Sequence, residues 1–314
     1  MPALSRRGAL LFPFAALLRA RNDAEWITRL GGRVERDAAG EVVAIQLGNT
    51  WINDTEMMEL PAYEKLQRLD LSHTRISDEG LLRIKPAKNI RDLDLFYAEQ
   101  ITDLGLTALK GWRNLKKLNV RGTRIADDTL EIVGELRQIE WLDIANTGAT
   151  DVGLDSLAPL TNLKHLGLGR SRVSAAAAGT IRLFTTLESI DLGGPRGTGR
   201  NQRNRGIGPL PPALIAALSE LKELQTMKLG HSEADADALR KLASLPNVDK
   251  LGLEGCQGVD DKALEVLAAW STLKFVDVQE TKVTAKGVAA FRAIRPDVKL
   301  LAGPFEAASG KNAG

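Results

Sequence analysis

Two stretches of the chain repeat one pattern with different letters. Residues 66–84 read LQRLDLSHTRISDEGLLRI, and residues 115–133 read LKKLNVRGTRIADDTLEIV. Both place leucine at the first and fourth positions and an apolar residue at the sixth. Both continue through threonine, isoleucine and aspartate and end in two apolar residues three positions apart. One structural unit therefore recurs along the chain, and this recurrence decides the fold.

The strand part of the unit can be followed through most of the sequence. Its central apolar residue recurs at Leu69, Leu93, Leu118, Leu142, Leu166, Ile190, Met227, Leu251 and Val276. Successive positions lie 24 or 25 residues apart, except for one step of 37 between Ile190 and Met227. Ile45 and Leu47 form a degenerate first unit, 24 residues before Leu69. The sequence therefore predicts about ten units of 24–25 residues.

Two apolar periods within each unit predict its local structure. Apolar residues at alternate positions, such as Leu69 and Leu71, turn one face of a short strand inward. Apolar residues three apart, such as Leu106 and Leu109, place one stripe of a short helix on the same core. One strand and one short helix cannot close a core alone, so the units must stack. We expect an α/β solenoid, a horseshoe with parallel strands on the concave face and short helices on the convex face.

Small polar residues mark two fixed positions in the unit. Ser77, Thr102 and Thr150 stand where an N-cap accepts the first free N–H group of a helix. A second column follows the strand, where a small polar side chain can satisfy the backbone of a buried turn. Its members are Thr74, Thr123, Thr147, Ser171, Ser232, Cys256 and Thr281. We therefore expect the thiol of Cys256 to be structural.

These phrases resemble the leucine-rich repeat proteins, and within them the cysteine-containing-like subclass, in which I-T-D-x-G-L follows the turn. Residues 101–106 read ITDLGL, and residues 76–81 read ISDEGL. The resemblance covers roughly residues 41–300 and stays in register from unit to unit. It extends to bacterial members of the subclass, and it implies a repeat solenoid that recognises a protein partner.

The segments outside the repeats have predicted roles of their own. We assign residues 44–296 to the repeats and residues 22–43 to an amino-terminal cap, with a helix from Asp23 to Leu30. Residues 297–305 are expected to cap the other end, and residues 306–314 to form a mobile tail.

Residues 1–21 have the shape of a signal peptide. Ser5, Arg6 and Arg7 precede an apolar run over residues 8–18, which is too short to span a bilayer and resembles a bacterial twin-arginine signal. This reading predicts export to the periplasm or the medium. The alternative is an amphipathic helix that covers the first repeat, in which case the protein is cytoplasmic.

Composition and spacing argue against several classes of function. The 42 basic and 40 acidic residues give a net charge of +2, too small to indicate nucleic acid as the main partner. The three histidines lie in different units, and His73 and His231 are on the order of 29 Å apart at about 4.8 Å per strand. They cannot share a metal. We predict no cofactor, no metal and no catalytic residue; a carboxylate pair at Asp70 and Asp94 is the least favoured exception.

A binding patch is predicted on consecutive strands in the middle of the array. The residues that flank the inward leucines there are Lys117, Arg121, Trp141, His165 and Arg170. A large aromatic residue ringed by cations is typical of a binding hot spot. The alternative is a tryptophan that only packs over the aliphatic stem of a neighbour.

The one break in the period is an insertion that lengthens a strand-to-helix connection by about thirteen residues. Residues 193–208 contain no acidic residue and four arginines, Arg196, Arg200, Arg203 and Arg205. Their guanidinium groups can bind acidic groups of a partner. Loops that interrupt a regular scaffold often carry function, which favours such a role for this insertion. A flexible excursion without a role is the alternative.

These observations favour a monomeric binding module that holds a protein, or an acidic glycan, against its concave face and its arginine-rich loop. The second hypothesis is a structural, envelope-associated repeat protein with no single ligand. An enzyme is the third and least supported.

Overall fold

The computed structural model describes residues 24–194 and 210–303. These residues form one open sheet of twelve strands that follow one another in chain order. The strands are β1 Arg33–Arg36, β2 Val42–Gln46, β3 Arg68–Asp70, β4 Asp92–Asp94, β5 Lys117–Asn119, β6 Trp141–Asp143, β7 His165–Gly167, β8 Ser189–Asp191, β9 Thr226–Lys228, β10 Lys250–Gly252, β11 Phe275–Asp277 and β12 Lys299–Leu301. Only β1 pairs antiparallel among them, with β2, and every later strand is parallel to its neighbour.

Short helices return the chain from each strand to the next. The α-helices are α1 Glu25–Arg29, α2 Asp78–Arg83, α3 Asp103–Leu106, α4 Asp127–Gly134, α5 Asp151–Asp155, α6 Ala178–Ile181, α7 Pro212–Glu220, α8 Ala236–Leu242, α9 Asp261–Ala269 and α10 Ala285–Ile294. Three 3-10 helices, Glu56–Ala62, Thr107–Leu109 and Ala175–Ala177, serve the same role. The predicted solenoid of parallel strands and short helices is confirmed.

The core lies between the strand layer and the helix layer. Leu93, Leu142 and Leu251 are fully buried, as are the helical residues Leu106 and Leu109 that face them. The predicted inward phase of the strand residues is therefore correct along the array. Since each unit contacts mainly the units before and after it, the core is continuous from coil to coil.

The buried turn column behaves as its residue types predict. The hydroxyl groups of Thr74, Thr123, Thr147 and Ser171 each donate to the carbonyl oxygen three residues earlier, at 2.6–2.7 Å. The thiol of Cys256 donates instead to the carbonyl oxygen of Leu229 in the preceding unit, at 3.2 Å. These bonds give the buried turn carbonyls a side-chain donor, and at Val120, Leu168 and Leu229 it adds to a backbone N–H that the same oxygen accepts.

A second set of hydrogen bonds joins each helix start to the unit before it. The hydroxyl group of Thr102 accepts from the N–H of Leu104, which confirms Thr102 as an N-cap. The same hydroxyl donates to Asp78 Oδ2 at 2.6 Å, while the N–H of Thr102 donates to Asp78 Oδ1 at 2.8 Å. The first-turn aspartate of one unit thus fixes the helix start of the next.

This arrangement recurs along the array. Carboxylates that accept from the next helix start in this way belong to Asp54, Asp78, Asp127, Asp151 and Asp261. It also explains the glycine of the I-T-D-x-G-L phrase. A β-carbon added at Gly105 would collide with Asp78 Oδ1, because the carboxylate occupies the space that the missing side chain leaves.

The two ends of the array close differently. At the first end, the hairpin of β1 and β2 turns at Gly40, and α1 ends at Arg29, two residues before Gly31, which adopts a left-handed φ of 85°. At the other end, β12 lies within the segment assigned to the carboxyl-terminal cap and adds an eleventh parallel strand.

Arg295 stabilises this last turn by donating to the carbonyl oxygens of Trp270 and Leu273, both at 2.9 Å. No helix among the described residues is long and apolar enough to cross a membrane.

Three predicted features lie outside the described residues. They are the export segment within residues 1–21, the four arginines of the insertion, and the tail at residues 306–314.

We predict that Gly105→Ala lowers the free energy of unfolding by about 1–3 kcal/mol, since the new methyl group must displace the Asp78 carboxylate. The matched control is Gly179→Ala, at an exposed helical glycine with no atom within 4 Å of the added carbon. The control should leave stability unchanged or raise it slightly, because alanine favours the helix. Urea unfolding of both variants measures the difference. Equal stability of the two variants would contradict the close fit of the Asp78 carboxylate against Gly105.

Candidate binding face

The parallel register places three predicted site residues side by side. Lys117 of β5 pairs with Trp141 of β6, and Trp141 pairs with His165 of β7. The imidazole of His165 stacks on the indole of Trp141, with ring centroids 4.5 Å apart and planes inclined by 8°. On the other side, Lys117 Nζ lies 5.1 Å from the indole centroid. We call these three side chains the indole stack.

Because the adjoining strands cover both faces of the indole, Trp141 meets solvent along its edge. The ring is half-buried, and it is fixed between its neighbours before any partner arrives. A cation over an aromatic face and two stacked rings are each worth on the order of 1 kcal/mol. The stack therefore forms a rigid wall on the concave face.

His165 differs from the cation that the sequence predicts beside Trp141. Burial lowers the pKa of His165 from 6.5 to about 4, with further lowering by the positive charges of Lys228 and Lys117 and opposition from Asp191. The imidazole is therefore neutral at pH 7. It contributes a second flat ring to the patch, and Lys117 carries the positive charge of the stack.

Arg121 lies next to the stack but takes part in a different cluster. Its Nη1 atom is 3.7 Å from a carboxylate oxygen of Asp143 and 3.7 Å from one of Asp191. Gly167 separates these two aspartates on the sheet, and a β-carbon there would lie 2.5 Å from Asp143. The Asp143 carboxylate occupies the space that the missing side chain of Gly167 leaves, and Arg121 lies between the two acids, where its charge is largely compensated.

The fifth predicted residue, Arg170, is not part of the stack. It follows β7 at the edge of the sheet where the strands end, with a left-handed φ of 60°. Its N–H donates to the carbonyl oxygen of Gly193 at 2.8 Å. Gly193 and Gly194 begin the insertion, and Gly194 is held by a bond to the carbonyl oxygen of Gly230 at 2.7 Å. Arg170 therefore stands beside the root of the arginine-rich loop.

A row of small residues separates the indole stack from this root, and we call it the small-residue floor. The outward position after the second inward residue of β6 to β9 holds Ala145, Gly169, Gly193 and Gly230, of which only Gly193 is partly exposed. Carboxylates lie against two of the buried members, since an added β-carbon would lie 2.9 Å from Asp191 at Gly169 and 2.3 Å from Glu254 at Gly230. Carboxylates border the floor, and burial raises the pKa of both Asp143 and Glu254. The face thus combines a rigid aromatic wall with a row of small residues packed under acidic groups.

A second aromatic cluster was not predicted from the sequence. His73, Phe96 and Tyr97 meet with ring centroids 4.7–5.6 Å apart at the edge where β3 and β4 end. His73 and Tyr97 both adopt a left-handed φ of 53°, which directs their side chains to this edge. Their shared position just before the buried turn column is the sequence signal that could have linked them.

No group of three metal-ligating side chains comes together within residues 24–194 and 210–303. Asp94, half of the weighed carboxylate pair, has its pKa raised by burial, with the charge of Asp70 adding to the effect. Cys256 is buried next to Ser232, and burial raises the pKa of its thiol, which keeps the thiol protonated.

Comparison with known proteins agrees with this architecture. A family model described as Leucine Rich repeat matches residues 64–85 and 87–110. No curated protein sequence matches the chain. The Arabidopsis receptor kinase HAESA ectodomain, solved with an N-terminally extended IDA peptide hormone, is similar over 87% of this chain and 46% of its own, with 20% identity and a TM-score of 0.56.

Two further solved structures are similar. HAESA in complex with IDA and the co-receptor SERK1 matches 80% of this chain and 40% of its own, with 20% identity and a TM-score of 0.50. An internalin from Listeria monocytogenes matches 93% of this chain and 95% of its own, with 15% identity and a TM-score of 0.47. The chain spans less than half of the HAESA ectodomain, and at this identity the HAESA likeness establishes the fold.

We predict that the His165 ring titrates near pH 4 in the folded protein. Since the folded state binds this proton less readily than the unfolded state, His165 stabilises the fold fully above pH 6.5, and its contribution falls as the pH drops toward 4. Imidazole carbon shifts in a nuclear magnetic resonance titration, assigned by comparison with His165→Phe, measure the midpoint. A midpoint near 6.5 would show that the ring is neither buried nor stacked.

Proposed function

We propose that this chain, a leucine-rich repeat protein, binds a segment of a protein partner along its concave face. The binding site is centred on Lys117, Trp141 and His165 and continues across the small-residue floor toward Arg121 and Arg170. The observation that carries this proposal is the indole stack, a fixed aromatic wall built from three adjacent strands.

The physical support lies in the low cost of ordering this site. A partner that packs against the edge of Trp141 meets side chains already held in place, so little conformational entropy is lost on binding. Aromatic residues fixed in this way dominate the affinity of many interfaces. A receptor of the same fold, HAESA, was solved with the IDA peptide hormone, which supports a peptide segment as the occupant of this face.

We further propose that the insertion contributes a second contact from the edge where the strands end. Its root at Gly193 and Gly194 borders the floor, and Arg170 stands beside it. From there Arg196, Arg200, Arg203 and Arg205 would meet acidic groups of the partner as it lies on the face.

Two alternative functions would use these surfaces differently. An acidic glycan would use the insertion and leave the indole stack without a role. A structural repeat protein with no single ligand would need neither. Export directed by residues 1–21 belongs to the proposal as well, and recovery of a shortened protein from the periplasm is the outcome that it requires.

Trp141→Ala should weaken the binding of peptides selected on the wild-type protein from a random displayed library, by about 30-fold, the loss typical of a central aromatic hot spot. The matched control is Trp51→Ala, which removes a tryptophan that is 76% exposed in the loop after β2. It should bind these peptides as the wild type does. Calorimetry with both variants decides, and peptides that tolerate the loss of Trp141 would contradict a site at the indole stack.

Changing Arg196, Arg200, Arg203 and Arg205 to Ser should selectively weaken those selected peptides that carry acidic residues, on the order of tenfold at low salt. The difference should shrink as the salt concentration rises, because exposed charges are screened. A titration over a range of salt concentrations measures this effect. Equal affinities of both proteins at every salt concentration would remove the insertion from the binding site without touching the proposal for Trp141.

A further inference from the structure

A basic groove runs along the opposite edge of the sheet, where the strands begin. Two adjoining clefts of about 580 and 470 Å³ share Arg91 and Lys116 and together cross the starts of β3 to β6. The cations that line them are Arg68, Arg91, Arg113, Lys116, Lys117 and Arg137, against two lining carboxylates, Asp92 and Glu135. We call this feature the edge groove. Its local excess of positive charge contrasts with the near-neutral chain.

Part of this charge is compensated within the protein. Lys116 Nζ lies 2.7 Å from Glu140, and Lys117 Nζ lies 3.5 Å from Asp92. Arg68 pairs with Glu35. In contrast, Arg91, Arg113 and Arg137 form no ion pair with any residue that the structure describes. These three arginines lie on consecutive units and are exposed. Their guanidinium N–H groups are therefore available to a ligand.

The loops that carry these arginines are fixed in place. On one side of Arg113, the fully buried Trp112 donates its indole N–H to the carbonyl oxygen of Lys85 at 3.1 Å. On the other side, Asn114 donates to the carbonyl oxygen of Lys88 at 3.2 Å. A rigid backbone at this point lowers the cost of ordering the Arg113 side chain on a ligand.

Hydrogen bonds also hold the backbone at the other two arginines. The carbonyl oxygen of Arg91 accepts from the N–H groups of Lys116 and Lys117, at 2.8 and 2.9 Å. The carbonyl oxygen of Arg137 accepts from Asn162 at 3.3 Å. Arg113 and Arg137 thus occupy the same position in successive units, four residues before the strand, while Arg91 directly precedes its strand. All three extend from backbone that hydrogen bonds hold in place.

The lining chemistry selects among anions. Guanidinium groups match carboxylates with two parallel hydrogen bonds, and the amides of Asn114 and Gln138 can pair with a peptide backbone. No aromatic residue lines either cleft, so a nucleic-acid base would find no ring to stack on. We infer that the edge groove binds an acidic segment of a protein partner through Arg91, Arg113 and Arg137.

This inference goes beyond the concave-face proposal and is independent of it. The two surfaces meet at Lys117, whose ammonium lies over Trp141 on one side and lines the groove on the other. A partner with an acidic tail could therefore occupy both. Loss of either site by mutation leaves the other intact, because the three arginines do not touch the indole stack.

The test uses a fluorescently labelled ten-residue peptide of glutamate and glycine, with glutamine in place of glutamate in the reference peptide. Fluorescence anisotropy should show the acidic peptide bound at low salt and the reference peptide unbound. In the variant Arg91→Gln, Arg113→Gln, Arg137→Gln, the affinity should fall on the order of tenfold or more. The variant should melt as the wild type does, since these side chains make no internal ion pair.

The matched control removes the same charge elsewhere. Lys241→Gln, Lys262→Gln, Lys286→Gln changes three exposed lysines on the convex helices, and its affinity for the acidic peptide should stay within about twofold of the wild type. An equal loss in this control would show a general effect of net charge and would overturn the inference, as would unchanged binding in the arginine variant. A ten-nucleotide single-stranded DNA that binds as tightly as the peptide, through the same arginines, would also overturn it.

Discussion

Stacking in constant register is the constraint on which this molecule depends. A single coil exposes its leucines on both sides and ends its short helix with unsatisfied backbone groups. The neighbouring coil solves both problems. It covers the leucines, and its aspartate accepts from the N–H and hydroxyl of the next N-cap residue, as Asp78 does for Thr102. The hydroxyl held in this way accepts from the helical N–H of Leu104. Apolar burial drives the stacking, while the aspartate hydrogen bonds set the alignment of one coil on the next.

The same register builds the binding face. Since β5, β6 and β7 pair without a slip, Lys117, Trp141 and His165 fall into one row about 4.8 Å apart, the distance at which rings stack. Contact between them then changes their chemistry, because burial in the row keeps His165 neutral. The opposite ends of the strands carry different charge patterns: an arginine groove where the strands begin, and buried carboxylates and the insertion root where they end.

Much of the fold could be predicted from periods and residue types alone. The inward phase of Leu93 and Leu142, the caps at Ser77, Thr102 and Thr150, and the turn column all follow from local pattern, and the structure confirms them. The strand at Lys299–Leu301 was not predicted. Its segment lacks the two alternating leucines of the repeat, so residues 297–305 were assigned to the carboxyl-terminal cap.

The site was predictable only in part, because its properties arise between units. Sequence spacing placed Trp141 next to Lys117 and His165, but the neutral state of His165 depends on burial that a sequence does not display. Arg91, Arg113 and Arg137 lie in loops that pattern analysis treats as connectors, although Arg113 and Arg137, each four residues before a strand, were a usable signal. The partner of Asp78 likewise lies in another coil, 24 residues away.

The most direct test of the account is the nuclear Overhauser contact between the ring protons of Trp141 and His165. Constant register predicts strong cross-peaks between the two rings, whose centroids lie 4.5 Å apart, in the full chain without any ligand. Absence of these cross-peaks, together with free solvent exchange around the Trp141 ring, would contradict both the register and the binding face built on it.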